Sequence, residues 1–150
     1  QDIEDFKKSI GKKSRLLGID PGKKRVGLAI SDEDKLVSTP LKTIVKKNNS
    51  DLAKEIKEII EENNIKGIVV GNPINMDGSK GPSAQSANDF AKYLSNNISI
   101  PVTMWDERLS SEAAFNLSSN LDINTSKKVE KLDQNAASFI LQGAIDYIRR

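Results

Sequence analysis

The stretch Leu16-Leu17-Gly18-Ile19-Asp20-Pro21-Gly22 decides the fold. Four uncharged, mostly apolar residues lead into an aspartate, and a Pro-Gly pair then turns the chain. A short apolar run bounded by turn residues marks a buried central strand. The expected strand covers about Arg15–Asp20 and leaves Asp20 at the rim of a sheet. A carboxylate there is costly to desolvate without a cation or a hydrogen-bond donor. The competing reading is local, because Asp-Pro-Gly is also good turn chemistry.

Two more strands follow closely, at about Arg25–Ser31 and Leu36–Val45. Pro40 interrupts the third and predicts an edge position or a bulge. Short turns make the three an antiparallel meander. A helix comes next, capped by Asn49 or Ser50, with Leu52, Ile56, Ile59 and Ile60 on its apolar stripe. Ile65–Gly71 is a buried strand, and its position after a helix predicts parallel pairing. Asn72–Pro82 is irregular. A second helix begins near Pro82, and its core face is Ala84, Ala87, Phe90, Ala91 and Leu94. A fifth strand, Pro101–Trp105, is expected to be internal and runs into Asp106-Glu107-Arg108. Ser110 caps a short helix to Leu117, Ser118–Ser126 reads as a polar loop, and the last helix spans about Lys127–Ile148. Residues 1–14 read as a polar N-terminal extension, in which Ile3, Phe6 and Ile10 have the spacing of a short amphipathic helix. Residues 15–150 read as one domain. The order β-β-β-α-β-α-β-α predicts an α/β fold with a five-stranded mixed sheet flanked by helices.

Composition narrows the chemistry. The 150 residues are 37% hydrophobic and 29% charged, which suits one domain with a real core. No cysteine is present, so disulfides and thiolate metal sites are excluded. No histidine is present either, which removes histidine acid/base catalysis, serine triads and the usual zinc sites. A metal would be held by oxygen, which favours Mg²⁺ or Mn²⁺. No apolar run reaches membrane-span length and no signal-peptide pattern opens the chain, so the expected location is the cytoplasm, with no membrane partner. Residues 51–62 carry five acids and two lysines, a net of −3, which leaves +5 for the rest of a chain whose total is +2. Clustered on one face, those basic residues would suit a polyanion.

Three acidic positions break local rules. Val129, Leu132, Ala136, Ile140, Ala144 and Ile148 define the stripe of the last helix. Asp133, with Val129, Ala136 and Ala137 as helical neighbours, lies on or beside that packing face. Asp146, next to Gln142 and Gly143, is free to face water. Asp106 and Glu107 end a strand of an open α/β sheet, where ligands gather. Successive strand residues face opposite ways, so only one of this pair points into a shared site. Asp20, Asp106 or Glu107, and Asp133 together form a candidate carboxylate cluster, which needs cations to offset its repulsion. Divalent ions in an oxygen cage suit phosphodiester hydrolysis. Gly78, Gly81 and the first amides of the Pro82 helix form a candidate anion site with Lys80 alongside. Lys23, Lys24 and Arg25 follow Asp20 immediately, and Arg108 follows the acidic pair. These five basic residues are candidate contacts to backbone phosphates of a nucleic acid.

With these residues assembled, the chain resembles the YqgF/RuvX family, the RuvC-like nucleases of the RNase H fold. The resemblance covers about Arg15 to Ile145. It rests on Gly18-Ile19-Asp20-Pro21-Gly22-Lys23-Lys24-Arg25-Val26-Gly27 and on Val70-Gly71-Asn72-Pro73-Ile74-Asn75-Met76-Asp77-Gly78 with Gly81-Pro82. It continues through Asp106-Glu107-Arg108-Leu109-Ser110 and Leu132-Asp133-Gln134-Asn135-Ala136-Ala137. The resemblance implies a bacterial cytoplasmic hydrolase that matures the 5′ end of pre-16S rRNA in ribosome biogenesis, with ribosomal precursor particles as its setting. Similarity to RuvC implies Holliday junction resolution as the alternative, and a non-catalytic nucleic-acid-binding module is a further one. Carried onto this chain, Asp20, Glu107 and Asp133 would be the catalytic, metal-binding acids, with Asp106 the alternate for Glu107.

Overall fold

A computed structural model of the chain describes residues 2–22, 24–73, 81–107 and 125–149; the side chains of 83 and 125–134 are outside that description. Lys23, the loop 74–80 with Lys80, Arg108 and the helix expected at Ser110–Leu117 lie outside the described residues.

Five strands are present: β1 (Arg15–Pro21), β2 (Arg25–Ser31), β3 (Ser38–Val45), β4 (Ile65–Asn72) and β5 (Val102–Asp106). They pair in the order β3-β2-β1-β4-β5. The β1–β2 and β2–β3 pairs are antiparallel, and the β1–β4 and β4–β5 pairs are parallel. The mixed sheet is thus the one the element order predicts, with β1 at its centre. One expectation fails: among the described residues β5 is an edge strand, hydrogen-bonded only to β4. The helix-linked connections extend the sheet outward from β1, so the last strand added has no further neighbour. Pro40 sits on the opposite edge strand, where its missing N–H costs nothing. The register shifts between Leu28 and Ala29, which pair with Lys42 and Pro40. The proline therefore marks both an edge and a bulge.

The helices are α1 (Ile3–Ile10), α2 (Asn49–Asn63), α3 (Pro82–Asn97) and α4 (Thr125–Ile148). The cap of α2 is Asn48, one residue before the expected candidates. Its side chain accepts from the amide of Asp51 at 2.8 Å and donates to that residue's carboxylate at 3.1 Å. The reciprocal pair satisfies an end the helix cannot satisfy internally. Asn64 ends α2 in the left-handed conformation (φ 54°, ψ 47°), with its amide bonded to Ile60. Pro82 occupies the first turn of α3, where its fixed φ suits a helix start.

Alternation along the strands sorts the side chains into two layers. Leu17, Ile19, Val26, Leu28, Ile68 and Val70 face α2 and α3. Leu16, Ala29, Val69 and Trp105 face α1 and α4. All five expected core residues of α3 are buried. The buried surface of α4 is wider than the expected stripe, because Ala137, Leu141 and Ile145 join Ile140, Ala144 and Ile148. α1 packs on the sheet through Phe6 and Ile10. Lys35 ties down its exit: the ammonium donates to the carbonyls of Gly11 and Lys12 and to the Ser14 hydroxyl. Among the described residues no helix is long and apolar enough to cross a membrane.

Candidate active site

The direction of α4 follows from its bonds to β3. Gln142 bonds the Leu36 carbonyl and the Ser38 amide, while Ser138 bonds the Ser38 side chain and carbonyl. Helix numbers fall as strand numbers rise. β3 runs parallel to β1, since both are antiparallel to β2. The N-terminal half of α4 therefore lies toward the end of the sheet where β1, β4 and β5 finish. α4 comes closest to β1 at Gly18, where an added Cβ would stand 2.7 Å from Cβ of Leu141 and 3.1 Å from the carbonyl oxygen of Ala137. Asp133 stands on the turn before Ala137, which carries its backbone toward the Asp20 end of β1; its side chain is outside the described residues.

Asp20 shares the parity of Leu16 and Gly18 and so belongs to the α4 side of the sheet. Glu107 shares the parity of Thr103 and Trp105, and Trp105 packs in the α4 layer. The structure brings these two acids together: a side-chain hydrogen bond joins Glu107 to Asp20. Glu107 leans over Gly71 of β4, its Oε1 lying 3.0 Å from where a Cβ on that glycine would be. Asp106 is in register with Asn72 and acts on Glu107 through its charge. The pleat thus separates the two candidates, with Glu107 in contact with Asp20.

Burial is the main influence on Glu107 and pushes its carboxyl pKa up. The bond from Asp20 opposes that shift, and the negative charge of Asp106 adds to it. Two carboxyls in hydrogen-bond contact are best satisfied by sharing a proton or by facing a cation. The Oδ1 of Asn72, which shares the parity of Ile68 and Val70 and so faces away from the acid pair, is buried with no partner among the described residues. The donors at this rim are hard oxygens, which fit Mg²⁺ or Mn²⁺ in ligand type. Among the described residues, which omit the Asp133 side chain, no group of three metal-binding side chains forms.

The basic candidates divide. Lys24 and Arg25 are exposed on the β1–β2 hairpin, at the same end of the sheet as Asp20. Gly22 permits this hairpin, because a Cβ there would collide with the Arg25 carbonyl. Lys46, one of the basic residues spread along the sequence but not among the site candidates, joins them through its amide, bonded to the Lys24 carbonyl at 2.8 Å. Its signal is only the ladder of β2 and β3, which pairs Arg25 with Val45. Gly71 was also passed over, although a glycine inside a buried strand signals a close approach.

Comparison with known proteins agrees with this architecture. The profile of RuvX, described as Holliday junction resolvase, matches residues 14–147. A protein of Pelagibacter ubique (strain HTCC1062), named "Putative pre-16S rRNA nuclease", is 58% identical over 146 residues, covering 97% of each chain. Among solved structures, Thermus thermophilus RuvC aligns with a TM-score of 0.53 at 12% identity, over 89% of this chain and 95% of its own. The yeast mitochondrial Holliday junction resolvase Ydc2 aligns with a TM-score of 0.54 at 13% identity, over 98% and 84%. The fold is therefore the RNase H-like fold of the RuvC-type resolvases, and the chain belongs to the RuvX family.

Proposed function

We propose that this chain is a divalent-metal-dependent endonuclease, acting in the cytoplasm on phosphodiester bonds at the 5′ end of the 16S rRNA precursor. The observation that carries the chemistry is the contact between the Asp20 and Glu107 carboxyls at the sheet rim. The name of the Pelagibacter relative, a pre-16S rRNA nuclease, supports the RNA substrate. Asp20, Glu107 and Asp133 would hold Mg²⁺ or Mn²⁺, which supplies an activated water and neutralises charge on the scissile phosphate. Lys24 and Arg25 grip the nucleic-acid backbone beside the acids, and Lys23, Lys80 and Arg108 extend that grip in the same proposal. Burial of Glu107 keeps bulk water from competing at the acid pair. The RuvX description favours a second reading, hydrolysis at branched DNA.

The test compares wild type with Asp20→Asn on a precursor-rRNA fragment and on a synthetic four-way junction, with Mg²⁺ or Mn²⁺. Wild type cuts the RNA only with metal. The variant loses at least about 100-fold in rate, the scale on which one charge-stabilising group acts, and keeps binding. Full activity of the variant sinks the metal assignment. Cleavage of the junction alone moves the substrate to branched DNA. Binding by wild type with no cleavage leaves a nucleic-acid-binding module.

A further inference from the structure

The sheet rim has a second side. Asp20 belongs to the α4 face, and the next residue, Pro21, opens onto the opposite one. There a cleft of about 220 Å³ lies between the β1–β2 hairpin and the start of α3. Pro21 and Gly22 form one wall, Ser86 the other, and Lys46 and Phe90 line it between them.

Its one cation is the half-buried Lys46, among the lining residues named. The ammonium stands 5.9 Å from the centroid of the Phe90 ring. Among the described residues no carboxylate is paired with it. The aromatic face supplies only a weak partner for that charge, which leaves the ammonium able to take an anion. Among the described residues, Glu55 pairs with Lys42 at 3.0 Å and Asp51 is bonded to Asn48. The Lys46 amide is bonded to the Lys24 carbonyl, so the cleft continues the basic hairpin. Phe90 is 4% exposed and offers no face on which a base could stack.

We infer that this cleft binds a backbone phosphate of the nucleic-acid strand, gripped by Lys46 with the Ser86 hydroxyl as a second donor. The strand passes from the acid pair over the end of β1 and seats the next part of its backbone on the far face. Lys46 is a binding residue that positions the strand and takes no part in bond cleavage. The inference rests on the nuclease reading for the identity of its polyanion.

The experiment measures binding of a precursor-rRNA fragment to the full chain carrying Asp20→Asn, between about 50 and 200 mM salt. Adding Lys46→Gln weakens binding several-fold and lowers the slope of log K against log salt by about 0.7, the single-strand value for one phosphate contact. Lys46→Arg restores the slope. Lys57→Gln, on the exposed side of α2, leaves it unchanged. Ser86→Leu fills the cleft while keeping the lysine and also weakens binding, so the inference is testable even if one variant folds poorly. An unchanged slope in a folded Lys46→Gln protein, or an equal loss in Lys57→Gln, overturns the inference and leaves the nuclease reading intact. No binding of the RNA by the parent protein overturns the inference together with the RNA substrate of the nuclease reading.

Discussion

Glu107 stands just past the end of β5, an edge strand among the described residues. Its carboxyl is half-buried, hydrogen-bonded to Asp20 and under the charge of Asp106. A carboxyl whose pKa is raised by folding makes the native state less stable once the pH exceeds that raised value. Replacing it with a neutral amide removes the cost. Glu107→Gln is therefore expected to raise the melting temperature of the metal-free protein at neutral pH by about 2–4 °C, the equivalent of about 1 kcal/mol at this size, while abolishing cleavage. Asp106→Asn is expected to keep cleavage within several-fold, because the effect of Asp106 on Glu107 is that of its charge. Melting curves and a cleavage assay on both variants decide the matter, and an Asp106→Asn protein as inactive as Glu107→Gln reverses the assignment.

At the level of elements, two glycines hold helix and sheet in the spacing the site needs. An alanine at residue 18 would press its Cβ on Cβ of Leu141 and on the Ala137 backbone, neither of which can swing aside. Gly18→Ala is expected to cost about 1–3 kcal/mol, the usual penalty of overpacking, read as a lower denaturation midpoint. An alanine at residue 71 would instead meet Cδ1 of Ile140 at 2.6 Å and Oε1 of Glu107 at 3.0 Å, both ends of flexible side chains. Gly71→Ala changes stability little and cuts the cleavage rate by up to about 100-fold, the effect of misplacing a reacting group by 1 Å. Unimpaired cleavage by Gly71→Ala counts against the role of Glu107.

Across the whole molecule, a central sheet divides two cores, and the N-terminal helix belongs to one of them. Phe6 is fully buried, and its ring reaches within 2.8 Å of where a Cβ on Gly67 would be. Phe6→Ala is expected to cost about 3–5 kcal/mol, as for other buried aromatics, measured by urea unfolding; an unchanged midpoint would show α1 to be dispensable. The same view explains the rim's polarity. β1, β4 and β5 end together, and β2 begins and β3 ends beside them, so acids from β1 and β5 sit next to basic residues from the hairpin and β3.

The element order, the meander, the parallel strands and the proline at an edge bulge were all legible locally, because period, turn chemistry and capping act over a few residues. Asp20 was legible for the same reason, as a carboxylate ending an apolar strand. Asp133 was singled out by helical spacing, and its backbone lies toward the right end of the sheet. What local spacing could not supply was the choice between Asp106 and Glu107, the edge position of β5, and the arrival of Lys46 beside Lys24 of the hairpin. Each depends on strand pairing and pleat parity across the sheet. The sequence alone determined which residue types could do this chemistry; the tertiary structure decided which of them meet, since contact between distant residues is a property of register and not of spacing along the chain.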